Sequence, residues 1–151
     1  MKGDRGFSLV ETITVIMLVL ILAMTGYVVT ILLLRWQSLL NNTNLITSQI
    51  ALAQTESYTQ VNDQSHGVKI SPEMVTRFTG DSYDLRQIAQ DVSFPIPSTI
   101  TIVGDTEILF PNGELSPAQS VQFTLQIGER SYDISVSAYG MVQVTTGNSE
   151  P

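Results

Sequence analysis

A stretch of 23 residues without a charge, residues 12–34, constrains the fold of this chain more than any other feature. About 20 consecutive apolar residues are enough for a helix to cross a bilayer. Inside lipid the backbone must satisfy its own hydrogen bonds, which a helix does within one segment. Arg35 and Trp36 come directly after this stretch, and residues of these types commonly anchor a helix at the membrane–water interface. The sequence therefore predicts that residues 7–34 form the first half of a long helix and that this half spans the membrane.

The charges before this stretch predict its orientation. Lys2 and Arg5 lie on its N-terminal side, so the positive-inside rule places residues 1–6 in the cytoplasm and the chain beyond Trp36 outside the cytoplasmic membrane. An ordinary secretory signal has its apolar region before the cleavage site. Here the apolar region follows Gly6, and no Ala-x-Ala site occurs after Leu34.

Glu11 is the one charge within the apolar region. An acidic side chain at the centre of a membrane helix costs roughly 2.5–3.5 kcal/mol on insertion scales, and such residues usually have a partner. One interpretation is an interfacial charge tolerated in a plain anchor. The other, which we favour, is a docking charge that meets a cation only when chains assemble.

The segment Gly6-Phe7-Ser8-Leu9-Val10-Glu11, behind the short basic leader 1–6, resembles the class III signal peptide of the type IV pilin family. The resemblance implies that a prepilin peptidase cleaves after Gly6 and that Phe7 is then N-methylated. It also implies that Glu11 neutralises the terminal ammonium of a neighbouring subunit during filament assembly. The implied partners are other pilin-like subunits, the peptidase, an inner-membrane assembly platform and, before assembly, membrane lipid.

Beyond the membrane, residues 35–62 are expected to continue the helix in amphipathic form. Apolar residues recur there at helical spacing, namely Leu39, Ile46, Ile50, Ala53 and Val61. The asparagines at 41, 42 and 44 are poor helix formers, so a bend is possible near them. Residues 62–67 are expected to form a loop that stops the helix.

From residue 68 onward apolar residues recur at every second position instead of at helical spacing, which indicates short strands. The expected strands, about seven, are residues 68–70, 74–78, 99–103, 107–110, 120–127, 132–136 and 141–144, with 99–103 and 107–110 as a hairpin around Gly104-Asp105. Residues 94–97 are expected to be extended, because two of them are prolines. The last seven residues, 145–151, are polar and expected to be frayed. The predicted fold is α+β: a long N-terminal helix packed against a small antiparallel β head at residues 63–151, as in pilins.

The C-terminal part of this head is also similar to minor pseudopilins of the GspH/FimT type. The similarity rests on three features: a turn at residues 110–113, a pair of strands at residues 121–127 and 132–136, and a terminal strand at residues 140–144. It implies a minor subunit.

Catalytic and metal-binding motifs are missing from the sequence. There is no cysteine and one histidine, His66, which is expected in a solvated loop. Neither Gly-x-Ser-x-Gly nor a phosphate-binding glycine loop occurs. Asp81, Asp84 and Asp91 could supply oxygen ligands to calcium, but their spacing is not that of an EF-hand and a solvated loop is the better interpretation. We therefore expect no enzyme activity, no cofactor and no metal site.

Charge also bears on partners. The chain has 14 acidic and 7 basic residues, a net charge of −7, so phosphate backbones are repelled and nucleic acid is not an expected partner. The sequence leaves open a type IV pilus, a type II secretion pseudopilus or a competence pilus. The alternative outside this class is a single-pass membrane-anchored sensor or adhesin with a ligand-binding head.

Overall fold

One long helix precedes eight strands in the part of the chain that the structure, a computed structural model, describes: residues 8–148. The helix α1 is Leu9–Tyr58, and the strands are β1 His66–Ile70, β2 Met74–Thr79, β3 Val92–Pro95, β4 Thr101–Gly104, β5 Glu107–Phe110, β6 Val121–Ile127, β7 Arg130–Val136 and β8 Val142–Asn148. Short 3-10 turns occur at Val61–Asp63 and Ile88–Gln90. The fold is α+β, with a long N-terminal helix packed against antiparallel sheets, as the sequence predicts. The chain divides into two compact units, before and after the boundary between Trp36 and Gln37.

The first unit contains the apolar part of α1. Among the described residues, α1 is the one helix that is long and apolar enough to cross a membrane, by length and composition. None of its most apolar 18-residue window is buried.

The part of α1 in the second unit buries one stripe against the sheets. Leu39, Ile46, Ile50 and Ala53 are fully buried, as the helical spacing predicts. The helix runs without interruption through residues 41–44. Val61 does not belong to the stripe, because α1 ends at Tyr58 and Val61 is 41% exposed.

The strands form two four-stranded antiparallel sheets rather than the single small sheet expected. One sheet, here called sheet A, has the order β3-β2-β1-β5, and the other, sheet B, has the order β4-β6-β7-β8. Apolar side chains from α1 and from both sheets meet in one core. Its bulkiest members in the strands include Phe110 of sheet A and Phe123 of sheet B.

The hairpin predicted around Gly104-Asp105 is wrong. β4 pairs with β6, and β5 pairs with β1. The chain changes sheets between two consecutive residues: the Asp105 N–H donates to Gln122 O at 3.1 Å, and the Thr106 carbonyl accepts from Ile70 N at 2.7 Å. Gly104 has φ 116°, and a Cβ there would lie 2.6 Å from Gln122 O. Gly104 therefore allows the backbone of β4 to lie close to the backbone of Gln122 where the chain crosses between the sheets, and it does not form a two-residue hairpin turn.

The end of the described chain is also more regular than predicted. Residues 145–148, expected to be frayed, belong to β8, whose whole length pairs with β7 from Val142 opposite Val136 to Asn148 opposite Arg130. Pairing along a neighbouring strand satisfies the backbone of a polar segment as well as that of an apolar one. Residues 149–151 lie outside the described part of the chain.

Candidate functional site

The start of α1 carries the site predicted from the sequence. Gly6 and Phe7 lie outside the described residues, and the structure begins at Ser8, with α1 from Leu9. Glu11 is the acidic residue of the first helical turn. The unpaired N–H groups at this end of a helix give it a partial positive charge, which favours a carboxylate there.

Within residues 8–148, the Glu11 side chain has no cation or hydrogen-bond donor as a partner, and it is exposed. Val10, which precedes it, and Val15, four residues later on the same face of the helix, are apolar and exposed, at 70% and 51%. The carboxylate is therefore accessible to a cation from beyond the described residues or from another molecule.

The threonine side chains of the first unit form hydrogen bonds within the helix. The hydroxyls of four threonines donate to the carbonyl oxygen four residues earlier: Thr12 to Ser8 at 3.3 Å, Thr14 to Val10 at 2.8 Å, Thr25 to Ile21 at 2.6 Å and Thr30 to Gly26 at 2.8 Å. Back-bonding of this kind removes the need for water around a hydroxyl. The threonines are thus compatible with lipid or with other apolar helices, and Glu11 is the one acidic side chain within residues 8–36.

The last turns of α1 are fixed to the head by polar side chains that the sequence analysis missed. Gln54 Nε2 donates to the carbonyl oxygens of Leu115, at 2.7 Å, and Gly140, at 3.0 Å. The buried Ser57 Oγ lies 2.8 Å from Phe110 O and 2.6 Å from Pro111 O. Ser57 lies four residues after Ala53 on the buried stripe, and this spacing was the signal that could have identified it.

His66 is buried, at 2% exposure, and the prediction of a solvated loop histidine is wrong. It is the first residue of β1, paired with Thr79 on one side and Phe110 on the other. Its Nε2 lies 3.0 Å from Val61 O, and its Nδ1 lies 3.3 Å from Thr79 Oγ1 and 3.6 Å from Glu56 Oε2. The strand starts earlier than predicted because pairing with two neighbours shields this polar residue.

This cluster of Glu56, His66, Arg77 and Thr79 does not have the geometry of a catalytic triad. In a triad the two ring nitrogens face different groups, the nucleophile on one side and the carboxylate on the other. Here Thr79 and Glu56 both face Nδ1, while Nε2 faces a backbone carbonyl. Glu56 also pairs with Arg77 through its other oxygen. The arrangement connects α1 to β1 and β2.

The aspartates considered for calcium do not form a cluster. Asp91 Oδ2 accepts from Arg86 Nε at 2.7 Å, and Asp81 Oδ1 accepts from Ser65 Oγ at 2.9 Å. The hydrogen bond to Asp91 raises the pKa of the Arg86 guanidinium, which therefore stays charged. Within the described residues no group of three or more histidine, cysteine, aspartate or glutamate side chains could hold a metal ion.

A shallow pocket in the head has mainly polar walls. Its lining comes from three loops: Asp63, Gln64 and Ser65; Gly80, Asp81, Leu85 and Gln87; and Asn112. Small-molecule sites are usually lined mostly by apolar and aromatic side chains, so this lining gives little support to a ligand site.

Comparison of the chain with models of known families, with curated proteins and with solved structures finds no match.

Proposed function

We propose that this chain is a structural subunit of a type IV pilus-like filament, a minor pilin or pseudopilin of a type IV pilus or type II secretion system. It is inserted as a precursor, cleaved after Gly6 and methylated on Phe7, and it joins the filament through α1. It acts as the substrate of a peptidase and not as a catalyst. The long helix and the antiparallel β head support the proposal, because the resemblance to pilins implies this arrangement of elements.

One observation carries this proposal: an exposed apolar helix has a single carboxylate, Glu11, without a partner in its first turn among the described residues. A plain anchor would be more stable in lipid without that charge, by roughly 2.5–3.5 kcal/mol at the bilayer centre. A helix that leaves lipid for a bundle of like helices gains little from apolar contact alone, because lipid is equally apolar. A charge pair within the bundle then provides specificity, and Glu11 lies five residues after Gly6, at the start of the mature chain.

The proposed location follows from the same features. The precursor crosses the cytoplasmic membrane once, with residues 1–6 in the cytoplasm and the head outside. After cleavage the subunit moves from lipid, by way of the assembly platform, into an extracytoplasmic filament of pilin-like subunits.

The intact mass of the protein from its native membranes tests the proposal. We expect a mature chain that begins at Phe7 and carries one added methyl group. Gly6→Ala should be cleaved better than Gly6→Leu, because the peptidase must accommodate the residue before the cut. A mature chain that starts at Met1, or one cut beyond Leu34, would reject the proposal and leave a membrane-anchored sensor or adhesin.

A further inference from the structure

The two sheets end in four edge strands, and one of them, β8, differs from the others. β3, β4 and β5 have four residues each, whereas β8 has seven. β3 ends in Pro95 and β5 begins with Glu107, and both residue types discourage further pairing at an edge. β8 has neither a charge nor a proline among its seven residues. It is a long and unprotected edge.

The hydrogen bonds identify the backbone groups that β8 leaves unpaired. Ser137 N donates to Met141 O at 3.0 Å, just before the β7–β8 ladder begins. In an antiparallel ladder hydrogen-bonded pairs alternate with non-bonded pairs, so the odd-numbered residues of β8 bond to β7. Ser131 Oγ donates to Gly147 O at 3.0 Å, consistent with this phase. The N–H and C=O groups of residues 142, 144, 146 and 148 therefore point away from β7.

An incompletely covered apolar side chain lies on the same edge. Val144 is opposite Ile134 on the core face of the sheet. Ile134 is fully buried, but Val144 is 41% exposed. A further strand alongside β8 would cover Val144 and bond to the outward backbone groups.

We propose that β8 pairs antiparallel with β8 of a second copy of this chain, around a two-fold axis at Thr145, to make sheet B continuous across two molecules. In this register Val144 lies opposite Thr146 of the second copy, and Thr145 lies opposite Thr145. All seven residues are paired. A register centred on Val144 would pair only residues 142–146.

Charge favours a second copy as the occupant. In this two-fold pairing Thr145 faces its own copy, so a charge on the axis would oppose a like charge, which is destabilising. β8 has none, in a chain with a net charge of −7 that repels its own copies elsewhere. Pairs of threonines and other β-branched residues are favourable across strands. This pairing does not depend on the filament proposal.

Disulfide trapping of the full chain in lipid nanodiscs tests the register. Residues opposite each other in a non-bonded antiparallel pair have Cα atoms about 4.5 Å apart, within the range for a disulfide. The chain has no cysteine, so Thr145→Cys provides the one thiol. Thr101→Cys is the matched control, because it is exposed on the opposite edge strand of the same sheet, β4.

Under mild oxidation we expect Thr145→Cys to form a covalent dimer and Thr101→Cys to stay monomeric. Equal dimer yields at both positions would indicate collision and overturn the proposal, as would the absence of a Thr145→Cys dimer. A disulfide to a different protein in native membranes would overturn it in favour of a heterologous partner.

Charge exchange at the same position gives a second measurement that does not depend on oxidation. Chains with two different affinity tags should co-purify less when both carry Thr145→Lys, or both carry Thr145→Glu, than when unmodified. Mixing the Lys and Glu chains should restore co-purification. Thr145 is exposed and lies opposite Asp133 on β7, so the Lys chain should be slightly more stable and the Glu chain slightly less stable than the native chain. A cooperative thermal transition in each variant shows that the fold is intact. If the mixed pair behaves like the same-charge pairs, self-pairing of β8 is wrong.

Discussion

At the scale of single residues, Glu11 and His66 are two ionisable side chains with opposite surroundings. Glu11 is exposed on an apolar helix, where the helix N-terminus is the one favourable group that the described chain gives it. His66 is buried, and both ring nitrogens have polar neighbours. The buried histidine contributes to the structure of the head, whereas the exposed carboxylate remains available to another molecule.

We predict that Glu11→Gln and Glu11→Val reduce assembly without reducing membrane insertion. Both remove the charge that would pair with the methylated ammonium at Phe7 of an adjacent subunit in a low-dielectric bundle. The Val variant should insert at least as well as the native chain, because the acid opposes insertion. The measurement compares the amount of subunit in sheared filaments with the amount in the membrane.

Thr14→Val is the matched control for these variants. It also removes a polar group from the same stretch of α1, but its hydroxyl bonds only to Val10 O of its own helix, so assembly should be unchanged. Normal incorporation of the Glu11→Val chain would mean that Glu11 is only an interfacial charge.

At the scale of elements, α1 and the loops around it have polar contacts that fix the position of the helix end. Gln54 reaches two loops at once, those of Leu115 and Gly140, through one amide group. Such a bridge requires the backbone of both loops to come close, which explains why a glycine stands at position 140, where φ is 78°.

We predict that Gly140→Ala destabilises the head more than Gly128→Ala. Both glycines have positive φ, 78° and 58°, so the left-handed backbone conformation should cost each alanine variant about 1–2 kcal/mol of folding free energy. At Gly140 the new Cβ would also overlap Leu115 O and Gln54 Nε2, whereas at Gly128 it meets nothing within 4 Å. Loss of the Gln54 bonds adds about 0.5–1.5 kcal/mol for each.

Chemical unfolding of the full chain in detergent, followed through the β-sheet signal, measures this difference. Gly128→Ala is the control for the backbone penalty alone. Equal losses in the free energy of unfolding would mean that the loop of Leu115 moves away at no cost, and that the Gln54 bridge does not hold the helix end.

At the scale of the whole molecule, net charge predicts which polymers the chain attracts or repels. The proposed removal of residues 1–6 would take away two bases and one acid from the 7 bases and 14 acids of the full chain, which would leave 5 bases, 13 acids and a net charge of −8. Three of the remaining bases, Lys69, Arg77 and Arg86, are already paired with carboxylates.

We predict no detectable DNA binding by the mature chain in neutral-lipid nanodiscs at near-physiological salt, because no basic cluster is present to release counterions from phosphates. A triple variant, Glu73→Lys, Asp105→Lys and Glu114→Lys, is the positive control, since all three side chains are exposed. A salt-dependent micromolar affinity of the native chain, with a slope that implies several phosphate contacts, would favour a competence receptor instead.

The accuracy of the sequence analysis differs between the helix and the strands for a physical reason. The stripe from Leu39 to Ala53 was predicted correctly because helical spacing is set within the segment itself. The turn at Gly104-Asp105 was assigned to the wrong pairing because a glycine has the same sequence signal whether it closes a hairpin or lets two strands approach. The candidate site at Glu11 was found from its charge, whereas Gln54 and Glu56 have no signal without their distant partners.

The sequence by itself determined the long helix, its apolar first part, the phase of its buried stripe and the change to strands near residue 68, because these depend on periodicities within one segment. Only the tertiary structure decided that the strands divide into two sheets, that His66 is buried and that β8 is seven residues long at an open edge. An alternating strand has one apolar face whichever neighbour it pairs with. The neighbour is chosen by the shared core, in which residues distant in the chain must be buried together.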